Sequence, residues 1–158
     1  MKTKILTLAL FCYLATEVYA AKPEILRYEI ECTGQEAAEG SYLVRVWIYT
    51  KEKKITSELL KKYAVHGVIF KGYAGKSGCK AQPAMANISL EQEKDDYFKP
   101  FFGKNKTFAL YATEVSGTME RMKVGKEYKF GMIVTVAKTR LRQDLESAGV
   151  IRGLSTGF

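Results

Sequence analysis

His66 is the sole histidine, so any imidazole base or histidine-bound metal has to be built on it. Beyond the first 20 residues two cysteines occur, Cys32 and Cys79. A Cys79–His66 pair would supply a nucleophile with its base, and His66 beside a carboxylate would suit hydrolysis. Either needs direct or one-water contact between the partners. No spacing argument brings them together, and His66 has a structural use at the expected end of a helix, where its ring can satisfy the last carbonyls. One histidine and two cysteines lack the spacing of a structural zinc site. Glu91, Glu93, Asp95 and Asp96 read as the solvated face of a helix. A carboxylate pair for glycoside cleavage would have to meet in space rather than in sequence.

Gly72-Tyr73-Ala74-Gly75-Lys76-Ser77 ends like a phosphate-binding loop. The true motif needs a glycine five positions before Gly75, where this chain has Phe70, and it must open a helix. Here Gly78, Cys79 and Pro83 follow, so the segment is read as a Gly-rich turn. No catalytic set, metal site or cofactor is expected.

Binding residues are easier to nominate. Tyr97, Phe98, Phe101, Phe102 and Phe108 interleave with Lys99, Lys104 and Lys106. Aromatics beside cations can stack on sugars, lipids or single strands. The competing reading, favoured for most of the rings, puts them in the core with the lysines snorkelling outward. A second basic cluster, Lys138, Arg140, Arg142 and Arg152, lies on or near the last predicted helix. The candidate binding set is Lys99, Phe101, Phe102, Lys104, Lys106, Lys138, Arg140 and Arg142. A formal charge of +8 draws the protein to anionic surfaces. The chain carries no nucleic-acid motif, so no specific nucleic acid is expected.

These residues must be positioned by something. Lys2 and Lys4, the apolar run Ile5 to Leu14, and Val18-Tyr19-Ala20 before a cut at Ala21 have the build of a signal peptide over residues 1–20. The run is too short to span a bilayer, no later segment approaches that length, and export to the periplasm or cell surface follows. Losing Lys2, Lys4 and Glu17 lowers the charge from +8 to +7. Residues 21–158 suit one domain. With 47% apolar and 27% charged residues, disorder, coiled coil, collagen and a polytopic membrane protein are excluded. Cys32 and Cys79 either pair in an oxidising compartment or remain two buried thiols.

Alternating patterns predict strands over Ile25 to Cys32, Ser41 to Thr50, Phe108 to Val115 and Glu127 to Val136. Thr56 can cap a helix running to about His66, with Gly67 ending it and Val68-Ile69-Phe70 forming a short buried strand. Ser89 and Gln92 have capping-box spacing for a second helix, which Pro100 should end near Lys99. A last helix spans about Lys138 to Ala148, with Leu141, Leu145 and Ala148 inward and Gly149 as its cap. The order predicts an α+β domain: a mostly antiparallel sheet with about three helices packed on one face.

Three segments, Ala64-Val65-His66-Gly67-Val68-Ile69-Phe70, Lys123-Val124-Gly125-Lys126-Glu127-Tyr128 and Ala148-Gly149-Val150-Ile151-Arg152-Gly153-Leu154, together resemble an uncharacterised family of small secreted proteins from gut-type Gram-negative bacteria. That resemblance implies export and transfers no catalytic or binding residue. The leading expectation is a non-enzymatic envelope protein that binds a partner protein or an anionic glycan or lipid surface. The alternatives are a small periplasmic hydrolase using His66 with Cys79 or a carboxylate, and a structural subunit of a surface assembly, suggested by Trp47 and Tyr49.

Overall fold

The strongest alternation in the chain, Tyr128, Phe130, Met132, Val134 and Val136, becomes the hub of a five-stranded antiparallel sheet. The computed structural model describes residues 26–33, 37–76 and 78–153; the expected signal peptide, residues 1–20, lies outside them. The strands are β1 (Tyr28–Cys32), β2 (Tyr42–Thr50), β3 (Ala112–Glu114), β4 (Glu120–Val124) and β5 (Glu127–Val136). Their order is β1-β2-β5-β3, with β4 also paired to β5, so β5 takes β2 on one side and both short strands on the other. Val46 lies opposite Met132 and Ile48 opposite Phe130, which puts the apolar sets of both long strands on one face. These side chains are buried, each contributing about 1.5–3 kcal/mol of transfer free energy.

The helices α1 (Ser57–Phe70), α2 (Ser89–Glu93), α3 (Asp95–Phe102) and α4 (Lys138–Ser147) join this sheet in the expected α+β arrangement. Thr56 caps α1 as predicted, its Oγ1 accepting from the Leu59 N–H at 3.3 Å. The end of α1 differs from expectation. Gly67 does not stop the helix, and Val68-Ile69-Phe70 is its last turn rather than a strand. Every residue from Tyr63 to Phe70 is buried, because the sheet covers one side of the helix and aromatic rings of α3 the other. Gly67 serves close approach: a Cβ there would lie 2.7 Å from Ile30 Cγ2. The left-handed glycine that ends the helix is Gly72 (φ +64), whose N–H donates to the Gly67 carbonyl at 2.9 Å.

Four further expectations are corrected. Pro100 lies inside α3 instead of ending a helix before it. The N–H it lacks would have served the carbonyl of Asp96, an exposed residue that water can satisfy, while burial of Phe98, Phe101 and Phe102 favours continuing the turn. The capping oxygen before α2 comes from Asn87, whose Oδ1 accepts from the Ser89 N–H, and Ser89 makes no cap. Phe108 to Val115 is a 3-10 helix (Thr107–Tyr111) running into the short β3, and β4 was not anticipated. In α4, Leu141 and Leu145 are buried but Ala148 is exposed. Gly149 (φ +66) closes it as predicted, with Val150 N–H on the Leu145 carbonyl and Gly149 N–H on that of Glu146.

The opposite face of the sheet carries no apolar core. Trp47 folds over Gly131, its cross-strand partner, and is held by Glu31, which accepts from its Nε1–H at 2.7 Å, and by Lys129 4.3 Å above the ring. Arg27 sits over Tyr49 and pairs with Glu127. Trp47 is therefore only 8% exposed without any helix upon it. A Cβ at Gly131 would fall 2.2 Å from Trp47 Cζ3. Gly131→Ala should lift the indole off the strand and cost about 1–3 kcal/mol. Trp47 is the sole tryptophan, so its emission should shift to the red and quench more readily with iodide; an unchanged spectrum and melting temperature would contradict this packing.

Candidate functional site

Topology divides the nominated binding residues. Phe101 and Phe102 are 3% and 7% exposed and belong to the core, so the expected aromatic surface at this segment is corrected to lysines alone. Phe101 stacks near Tyr111, and Phe102 near Phe98 and Phe108. Lys99, Lys104 and Lys106 are exposed; Lys99 lies 3.8 Å from Asp95, and Lys106 pairs with Glu58 at 2.7 Å. Arg140 lies 3.8 Å from Asp144 and over the Tyr111 ring. Lys138 and Arg142 are placed differently, since both line a cleft.

That cleft comprises two adjoining recesses, of about 640 and 400 Å³, which share the lining residues Tyr42, Gln82 and Lys138. Its walls are the β1–β2 connection around Gly40, the segment from Tyr73 to Met85, and the first turns of α4. The wall segment is an irregular hairpin, with reciprocal backbone bonds between Tyr73 and Gln82 and between Lys76 and Cys79. It starts at Gly72, where a Cβ would meet the Gln82 carbonyl. Cys79 ties the hairpin to the end of β1 through a disulfide to Cys32, with Cα atoms 6.5 Å apart. Beside it Lys76 pairs with Glu31, and this bond, reinforced by the Trp47 N–H, holds the Glu31 carboxyl below its usual pKa. The contribution of that pair is present above the ordinary carboxylate range and fades as the pH falls.

Inside the cleft the Tyr42 and Tyr73 rings meet edge to face at 5.8 Å. The Tyr42 hydroxyl donates to Gln82 Oε1 at 2.6 Å, which leaves the Gln82 amide N–H groups as donors. Lys138 Nζ lies 4.5 Å from the Tyr42 ring centroid, and exposed Lys76 and Lys80 stand on the hairpin side. Partial burial pushes the Tyr73 hydroxyl up to about 12, so that ring stays neutral. Arg142 is held by Glu146 at 3.0 Å. The site thus offers ring faces, amide and hydroxyl hydrogen bonds and ammonium groups, beside the carboxylates of Glu39 and Glu146. Sequence reasoning missed Tyr42, Tyr73, Lys80 and Gln82. Tyr42 falls in an expected strand and Tyr73 in the expected Gly-rich turn, and only the tertiary fold sets them, with Lys80 and Gln82, opposite α4.

His66 lies elsewhere. It is 4% exposed in the middle of α1, and neither part of the cleft reaches it. Its Nδ1 is 2.5 Å from the Tyr28 hydroxyl and its Nε2 3.1 Å from Glu91 Oε2. Burial and the nearby Glu91 raise the Tyr28 pKa, so Tyr28 keeps its proton, and its hydroxyl and the Glu91 carboxylate between them engage both ring nitrogens. Two expectations change here. His66 is not a helix-end residue, and Glu91 turns inward from the solvated acidic face. Cys79, bonded to Cys32, is no partner for His66.

Among the described residues no group of three or more His, Cys, Asp or Glu could hold a metal, and no helix is long and apolar enough to cross a membrane. No family model, curated protein or solved structure matches this chain.

Two outcomes are expected. His66→Phe strands the buried Tyr28 hydroxyl and should cost about 1–3 kcal/mol in denaturant unfolding, and adding Tyr28→Phe should recover part of that loss. Strict additivity of the two would refute the relay as a structural unit. Reducing the Cys32–Cys79 bond should cost about 2–4 kcal/mol, and proteolysis of the reduced protein should begin within residues 73–82; cleavage elsewhere first would show that the bond does not anchor this hairpin.

Proposed function

We propose that the protein is an exported, non-catalytic component of the cell envelope that binds an anionic glycan in the Tyr42–Tyr73–Lys138 cleft. The observation that carries this reading is the convergence of two tyrosine rings, Gln82 and several ammonium groups on one open cavity. Sugar rings stack on tyrosine faces, hydroxyls bond to amides, and carboxylate or phosphate substituents meet lysine. The positive charge of the whole chain adds long-range attraction. The Cys32–Cys79 disulfide supports an oxidising compartment. Burial of His66 away from the cleft favours binding over hydrolysis. Trp47, already covered by its own strand neighbours, gives no support to an assembly through that face.

The test is calorimetric titration with an acidic polysaccharide and with neutral dextran at low and raised salt. Binding should be confined to the acidic polymer and weaken with salt. Lys138→Ala should weaken it about tenfold, equivalent to about 1.4 kcal/mol, and Tyr73→Ala by a similar factor. Equal affinity for the neutral polymer, or an unaffected Lys138→Ala variant, would reject the assignment.

A further inference from the structure

At the end of the sheet where β2 runs out, two turns lie side by side. Thr50 is opposite Tyr128, and Tyr128 is opposite Lys123, so residues 51–54 and the β4–β5 turn share one edge of the molecule. Arg121 Nη1 donates to the Lys53 carbonyl at 3.0 Å and fastens them together. The β4–β5 connection is a two-residue turn, Gly125-Lys126, with Gly125 at φ +62, as a tight hairpin requires.

This end is strongly basic. Lys51, Lys53, Lys54, Lys123 and Lys126 are exposed, and among the described residues none of the five makes an ion pair. Of the nearby carboxylates, Glu127 is already matched by Arg27, which leaves Glu52. The same end is unusually apolar for a solvated surface. Met122 and Val124 alternate on one face of β4 and are 43% and 45% exposed.

We infer that this basic, aliphatic-tipped end is a peripheral docking surface for anionic phospholipid. The lysines would meet headgroup phosphates while Val124 and Met122 enter the boundary with the acyl chains. Charge complementarity selects the occupant, and the strand chemistry argues against a protein strand adding to β4. Arg121 and Lys123 put cations on a five-residue edge strand, a device that discourages strand pairing. The surface is separate from the cleft and does not depend on its ligand.

The experiment is vesicle sedimentation with protein recovered from expressing cells, its N-terminus determined by mass spectrometry. Vesicles are phosphatidylcholine alone or phosphatidylcholine with phosphatidylglycerol. Partitioning should require the anionic lipid and fall with salt. Joint replacement Lys51→Ala, Lys53→Ala and Lys54→Ala should weaken it by roughly a hundredfold, at about fivefold for each lysine near the surface. Val124→Ser should weaken it with no change in melting temperature, since the side chain is exposed. Lys138→Ala should leave vesicle binding intact, so failure of the glycan assignment and failure of this one are read separately. Equal binding to neutral vesicles, or full binding by the triple variant, would overturn the inference. So would loss of self-association or of acidic-protein capture in the triple variant with vesicle binding unchanged.

Discussion

The burial of α1 on two sides is the constraint from which most of the molecule follows. Its C-terminal half has the sheet beneath it and the rings of Phe98 and Phe102 above, so no side of that half is available to solvent. A helix so enclosed must be apolar all round or satisfy every polar group internally. Val65, Val68 and Ile69 meet the first condition, and His66 meets the second through Tyr28 and Glu91. Gly67 lets the helix sit close on Ile30. The Ile69 carbonyl accepts from the Ala86 N–H, and this bond pins the return of the hairpin that walls the cleft.

The two faces of the sheet solve different problems. The helical face buries hydrocarbon. The other face spreads charge over aromatic rings, with Arg27 and Lys129 against Tyr49 and Lys129 against Trp47, while carboxylates complete the circuit. Individually such exposed pairs contribute little. Their joint effect is to hide an indole without a covering layer. The β1 edge is guarded too: Lys71 donates to the Tyr28 carbonyl at 2.8 Å, and the Tyr63 hydroxyl accepts from the Leu26 N–H, which occupies groups that another strand would seek.

The fold class and the long strands were legible because alternation over eight or more residues has one physical explanation. Thr56 and Gly149 were legible because caps are local. What failed to show was whatever depended on a neighbour remote in sequence. Gly67 looks like a stop until Ile30 is beside it, and Pro100 looks like a stop until three phenylalanines need its helix to continue. Glu91 looks solvated until His66 lies opposite. Two of the three basic residues nominated on α4 found a cavity, since Lys138 and Arg142 recur on the inner side of the helix and Arg140 does not. The cleft itself joins three segments that no window of sequence contains.

The link between Cys32 and Cys79 makes one wall of the cavity answer to oxidation state. While both sulfurs are still thiols, the ribbon from Tyr73 to Gln82 keeps its sparse backbone bridges, the Lys76–Glu31 contact and the Tyr42–Gln82 hydrogen bond, and lacks only its covalent tie to β1. Oxidation adds a covalent tie between that wall and the end of β1. The shape of this wall is therefore conditional on two sulfurs, which ties the recess to the redox state of its surroundings.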